Sequence, residues 1–206
     1  GYPKQFRAAY AKNSNDRVFQ IAKVLNDAQM CKGVTLSFQS MDAHTLAVIK
    51  RKNMATNDFS GLISQYDAAG IPTYTELIMG LPGETYESFA NGIDTLLEAG
   101  QHSGLNIYLC AILPNSEMAD PAYRTQHALK TIRSPILLAH SSPLLDDILE
   151  YNDVVVETAT LTLADIKALS AHFEAKTLGV KVNSLSKDRT RALLVPYLQH
   201  TDVADR

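Results

Sequence analysis

The apolar residues of this chain change their spacing repeatedly, from strand-like to helix-like, and this rhythm constrains the fold more than any other feature. Gly33-Val34-Thr35-Leu36-Ser37-Phe38, Thr73–Met79 and Leu105–Ala111 read as strands, and Phe6–Ala11 as a shorter one. Between them the spacing is helical. Val18, Ile21, Ala22 and Leu25 stand at i, i+3, i+4 and i+7, which predicts one buried stripe. Asn13 or Ser14 is placed to cap that helix, and Gly33 lies past its end. A short helix begins near Asp42 and carries Leu46 and Ile49 inward. Asn57 is placed to cap a helix with the stripe Phe59, Leu62, Ile63 and Tyr66, which Gly70 ends and Pro72 cannot continue. A tight loop, Gly80-Leu81-Pro82-Gly83, precedes a helix from Thr85 to Ala99 that buries Phe89, Ile93, Leu96 and Leu97.

The order β-α-β-α-α-β-α-β predicts an α/β fold with parallel strands and right-handed helical crossovers. Four such units are too few to close an eight-stranded barrel. The expected object is a partial, half TIM-like barrel, with its chemistry at the C-terminal ends of the strands. Leu105–Ala111 carries no charge, which predicts cover on both faces. After Pro114 the rhythm becomes irregular, and Pro121, Pro135 and Pro143 divide the segment into loops and short helices. Val154–Glu157 reads as one more strand, and Thr162 caps a helix carrying Ile166, Leu169 and Phe173. The expected division is a partial barrel over residues 1–160 and a C-terminal helical extension over 161–206.

Composition narrows the function classes. Apolar residues make up 46% of the 206, enough for a packed core. A net charge of −3 gives no electrostatic support to a nucleic-acid partner. No stretch approaches the ~20 apolar residues of a membrane span. Cys31 and Cys110 are the only cysteines, so a disulfide scaffold and a cysteine-only metal site are excluded; the expectation is a reduced, cytoplasmic protein. His44, His102, His127, His140, His172 and His200 show no metal-ligand spacing, and His140 is an ordinary loop histidine before it is a cavity residue.

Polar groups and glycines gather where the strands end. Gly80 and Gly83 bracket a proline, which reads first as a tight turn and second as a place where a ligand approaches bare backbone. Glu76 sits within an otherwise apolar strand, and a buried carboxylate needs a partner: a ligand amine or hydroxyl, or else Lys12 or Arg51. Arg51 is by itself a solvated arginine, but its planar fork suits a ligand carboxylate.

With those residues in view, the segments Gly33–Arg51 (GVTLSFQSMDAHTLAVIKR) and Gly70–Thr85 (GIPTYTELIMGLPGET) resemble radical S-adenosylmethionine (radical SAM) enzymes. The similar subgroup is the one related to methylthiotransferases and the Elongator catalytic subunit, above all its cobalamin-binding members. SFQS, an arginine twelve residues after its Gln, an acidic residue, GLPGE and a strand ending near AILPN follow in the family's order, over residues 6–160. The resemblance implies a SAM pocket. Gln39 and Arg51 would face the methionyl part, Glu76 the amino or ribose groups, and Ser37 and Ser40 the ribose or carboxylate. Gly80, Pro82 and Glu84 would shape the wall, and the main chain of Ala111 and Ile112 would lie against adenine. A zwitterionic, ribose-bearing ligand with an apolar base needs this mixture of groups.

The family's [4Fe–4S] cluster is held by three cysteines in a CxxxCxxC loop, and no such triplet occurs here. The cobalamin motif DxHxxG is also absent. The resemblance therefore implies the C-terminal part of a radical SAM domain, from about the third barrel strand, with the cluster and any cobalamin belonging to an intact protein. The expected partner is the missing N-terminal half of the barrel or another chain. An apolar edge near Phe6–Ala11 is expected to favour assembly, including with a second copy. Two other readings compete. One is a cluster-less SAM- or nucleotide-binding module or assembly subunit without catalysis. The other is a barrel enzyme using Lys12 as a Schiff-base nucleophile beside Glu76.

Overall fold

The computed structural model describes residues 4, 6, 16–53, 56–102, 104–135 and 151–176. The predicted strand Phe6–Ala11, the caps Asn13 and Ser14, Lys12, His140, His200 and the segment from Thr177 onward lie outside them, except for Phe6 itself. Phe6 makes an isolated parallel bridge with Cys31.

The elements follow the expected order as far as the third strand. They are α1 (Asp16–Asp27), β1 (Val34–Gln39), α2 (Ala43–Val48), α3 (Thr56–Ala68), β2 (Thr73–Met79), α4 (Tyr86–Glu98) and β3 (Leu105–Leu109). The strands β1, β2 and β3 form a parallel sheet in that order, with Ser37 beside Glu76 and Glu76 beside Asn106. Alternation along each strand sends one set of side chains inward. Val34, Leu36, Phe38, Leu77, Met79, Leu105 and Ile107 meet the apolar stripes of α3 and α4 in one core. There Phe38 meets Phe59 edge-on, with ring centroids 4.6 Å apart.

The other face of this sheet is only half covered. It carries Thr35, Ser37 and Gln39 from β1, Tyr74, Glu76 and Ile78 from β2, and Asn106 and Tyr108 from β3. The expectation that the third strand is covered on both faces is therefore corrected. A closed barrel would enclose such a face, and three strands cannot close.

Four local readings are corrected as well. Ile21 is 44% exposed, so the buried stripe of α1 is Val18 and Ala22 with Leu25 half-buried. The left-handed residue after α1 is Gln29, at φ 56°, which stops the helix before Gly33 is reached. In α2 the fully buried residue is Thr45, while Leu46 and Ile49 are half-buried. Asn57 lies inside α3, which already starts at Thr56.

Beyond Leu109 the chain changes partners. Leu105–Ala111 is not one strand: Cys110 donates its N–H to Met79 O at 2.8 Å and accepts from Val155 N at 2.8 Å. The next two residues, β4 (Ala111–Ile112), thus enter a second sheet. A 3-10 turn (Glu117–Ala119) and α5 (Pro121–Gln126) lead to β5 (Lys130–Pro135) and β6 (Tyr151–Glu157), and the order β4-β6-β5 is antiparallel throughout. The proline-broken stretch, expected to hold loops and short helices, therefore contains a strand. Finally α6 (Leu163–Lys176) packs on α4, and Ile166, Leu169 and Phe173 join the main core.

Candidate functional site

The site is built on the half-open face of the parallel sheet. Ser37 and Glu76 are direct neighbours in the β1–β2 register, and the Ser37 hydroxyl donates to Glu76 Oε2 at 2.8 Å. The Tyr108 hydroxyl, one row further on in β3, stands 3.5 Å from Glu76 Oε1. Both oxygens thus face neutral donors, and among the described residues no cation pairs with this carboxylate. An anion held by hydroxyls on a half-open face keeps its charge available for an incoming group.

Gln39 closes β1 with a break in register: Ser37 pairs with Glu76 and Gln39 with Leu77, so Phe38 is the extra residue. Its φ of 63° is left-handed, a conformation that costs a non-glycine residue about 1 kcal/mol or more and collects at functional sites. Arg51 donates from Nη2 to Gln39 Oε1 at 2.7 Å. One arm of the guanidinium is thus anchored, and the remaining donors of its fork can serve a carboxylate. Among the described residues Arg51 forms no salt bridge.

Other predicted residues are placed differently. Ser40 is 1% exposed, and its hydroxyl accepts from Asp42 N at 3.0 Å. Asp42 in turn caps α2 through Thr45 N at 2.7 Å, so Ser40 braces a helix start and offers a ligand no surface. Glu84 is fully buried. Its Oε1 accepts from Ser88 Oγ at 2.5 Å, and Thr160 Oγ1 donates to its carbonyl at 2.7 Å. Burial raises its pKa; the Ser40 and Ser88 hydroxyls oppose this, and the Asp42 charge adds to it. Its Oε2 nevertheless meets no donor at hydrogen-bonding geometry. Ser40 and Glu84 thus brace the start of α2 and the start of α4 from buried positions.

The loop Gly80–Gly83 turns inward, with Leu81 and Pro82 buried. A side chain on Gly80 (φ 95°) would meet Cys110 and Val155, and one on Gly83 (φ 87°) would press on His44 and Val48 at 3.2–3.4 Å. Both glycines serve the tight-turn reading, since left-handed backbone and close packing coincide. Ala111 and Ile112 pair their main chain with Val154 and Asp153 of β6. β4 lies at the edge of its sheet, so its other side is not used by that ladder.

Tyr108 and Asn106 were not anticipated. Nothing in Leu105–Ala111 separates inward from outward positions until its register with β2 is known.

Among the described residues no group of three His, Cys, Asp or Glu side chains could hold an ion. Cys110 is buried and its thiol is pushed up to about 12, where it remains protonated and inert. Two cysteines, one of them so placed, do not fit a [4Fe–4S] cluster. No helix among the described residues is long and apolar enough to cross a membrane.

A parallel α/β sheet with polar side chains on a half-open face and strand-end loops is the architecture of part of a TIM-like barrel. The solved structure of the radical SAM methyltransferase TsrM from Kitasatospora setae matches 80% of this chain and 34% of its own, with a TM-score of 0.53 and 18% identity, which supports the fold. No family model matches the chain. Its sequence is 44% identical over 158 residues to the cobalamin-dependent radical SAM methyltransferase TokK of Streptomyces tokunonensis. It is 41% identical over 162 residues to the 2-(S-pantetheinyl)-carbapenam-3-carboxylate methyltransferase of Streptantibioticus cattleyicolor. These matches cover 77% and 79% of this chain but only 23% and 24% of the two proteins, so the chain spans about a quarter of the length of the curated relatives it matches. The chain is thus a relative of the cobalamin-dependent radical SAM methyltransferases over most of its length.

Proposed function

We propose that this chain supplies one wall of the S-adenosylmethionine pocket of a radical SAM methyltransferase. The observation that carries the reading is the pairing of an anchored guanidinium, Arg51 on Gln39, with an ion-pair-free carboxylate, Glu76 on Ser37, at the rim and face of one parallel sheet. A zwitterion with a sulfonium and a ribose offers the complementary charges and hydroxyls. Similarity to cobalamin-dependent relatives supports the same reading.

In such a protein a [4Fe–4S] cluster would supply the electron for SAM cleavage, and cobalamin would supply methyl-carrying chemistry. The sequence has no cysteine triplet and no DxHxxG motif, so both groups are assigned to the part of the protein that completes the barrel: an N-terminal half or another chain. The contribution of this chain is binding. Arg51 orients a carboxylate, Glu76 takes a hydrogen-bond donor, and the buried supports Ser40 and Glu84 hold the end of β1 and the start of α4 in place. The division into a partial barrel to residue 160 and an extension beyond it, and a second copy at an open sheet edge, belong to the same proposal.

Calorimetry of the chain with SAM tests it. Binding by the wild type that is lost in Arg51→Ala and in Glu76→Ala is the expected result. Equal affinity in all three, or no binding by the wild type, overturns the reading.

A further inference from the structure

We infer that Asn53 is a positioning residue for Arg51: it closes the loop that carries the guanidinium, so that Arg51 is held in place before any ligand arrives. The inference rests on the reading of Arg51 as the group that orients a carboxylate, and it adds a residue that itself touches no ligand.

Three observations carry it. The first is how the chain leaves α2. That helix has six residues, too few to be stable alone, so its ends depend on fastening from outside. Lys50 N donates to Ala47 O at 3.2 Å and Arg51 N to Leu46 O at 2.8 Å, with Lys50 left-handed at φ 55°. This is the paired stop of a Schellman motif, which usually places glycine where Lys50 stands. A strained turn of this kind persists only where its surroundings hold it. The Lys50–Glu117 ion pair is too exposed to do so by itself. The second observation is the fastening. Half-buried Asn53 donates from Nδ2 to the Ser40 carbonyl at 2.6 Å, thirteen residues back in the chain. Arg51 makes the neighbouring cross-link, from Nη2 to Gln39 Oε1 at 2.7 Å. The loop is thus shut twice, and only the Asn53 bond ends on main chain. It holds the backbone without drawing on the guanidinium. The third observation is where that bond lands. The Ser40 carbonyl directly follows Gln39, whose left-handed backbone at φ 63° sets the direction of the amide that anchors Arg51. One bond therefore steadies both the arginine and its anchor, and groups ordered in advance lose less freedom when a ligand binds.

The test uses the full chain, as wild type, as Asn53→Leu, which keeps the size of the side chain and removes its donors, and as Asn53→Ala, which adds no bulk. In the free chain the Arg51 Nε–H signal, followed by NMR, reports whether the guanidinium is held. Each protein is then titrated by calorimetry with SAM and with 5′-methylthioadenosine, which lacks the amino-acid carboxylate. The expected result is a distinct, slowly exchanging Arg51 signal in the wild type that moves to the position of a solvated arginine in both variants. SAM affinity falls about three- to tenfold, the worth of one hydrogen bond, and affinity for 5′-methylthioadenosine stays unchanged. An Arg51 signal unmoved in both variants overturns the inference. So does a constant ratio of the two affinities, since a merely structural role weakens both ligands alike. A wild type that binds neither ligand sinks the pocket reading, and the Arg51 signal alone then decides whether Asn53 positions Arg51.

Discussion

At the scale of single residues, two carboxylates illustrate how burial divides roles. Glu76 is half-buried and held by hydroxyls, so it can meet a ligand. Glu84 is sealed in, with burial raising its pKa. The sign of its effect on stability follows from linkage. A carboxyl that binds its proton more tightly when folded than its ordinary value of 4.5 stabilises the fold below that value and loses the contribution as pH rises above it. Glu84→Gln can still accept from Ser88 and never ionises. Its unfolding free energy should therefore fall less steeply than that of the wild type as pH rises from 4.5; parallel denaturant titrations across that range check this, and coincident slopes would show that Glu84 stays unperturbed. Both acids were visible as candidates in the sequence. Their separation was not, because exposure depends on what packs over a residue and not on its neighbours in the chain.

Elements respond to local chemistry. α4 starts with a reciprocal cap: Thr85 Oγ1 accepts from Ser88 N at 3.1 Å, and Ser88 Oγ accepts from Thr85 N at 3.0 Å. Thr85→Ala should cost about 1 kcal/mol, read as a lowered denaturation midpoint with an unchanged slope. Gly83→Ala combines a left-handed φ with contacts at 3.2–3.4 Å to His44 and Val48, so it should cost more than that cap substitution. The boundaries of β2 and α4 and the end of α3 were legible because Gly70, Pro72, Gly80 and Thr85 punctuate a clear apolar period. β5 was not. Lys130-Thr131-Ile132-Arg133-Ser134-Pro135 holds a single large aliphatic residue, and its strand conformation comes from pairing with β6. The break at Cys110 was equally hidden, since Leu105 to Ile112 is a continuous run of residues suited to either sheet.

For the whole molecule, the main core should dominate stability. Phe59 is fully buried against Phe38, and Phe59→Ala should cost about 3–5 kcal/mol, enough to threaten folding; thermal denaturation measures it. On the outer side of α1, Val24 is 69% exposed, so Val24→Asp should change stability by under about 0.5 kcal/mol. Incubating the reduced chain with iron and sulfide should yield no [4Fe–4S] absorption, because of its two thiols one is buried and protonated. A stable cluster would contradict that placement. The order of strands and helices to the third strand and their parallel run were determined by the sequence alone, because periodicity and turn chemistry act over a few residues, and the family resemblance of its motifs singled out Gln39, Arg51 and Glu76 as site candidates. Only the tertiary structure decided which face stays open, that Ser40 and Glu84 are buried, that Tyr108 stands beside Glu76, and that the chain leaves one sheet for another at Cys110. Those outcomes depend on strand register and on packing between segments far apart in the chain, and no local pattern records them.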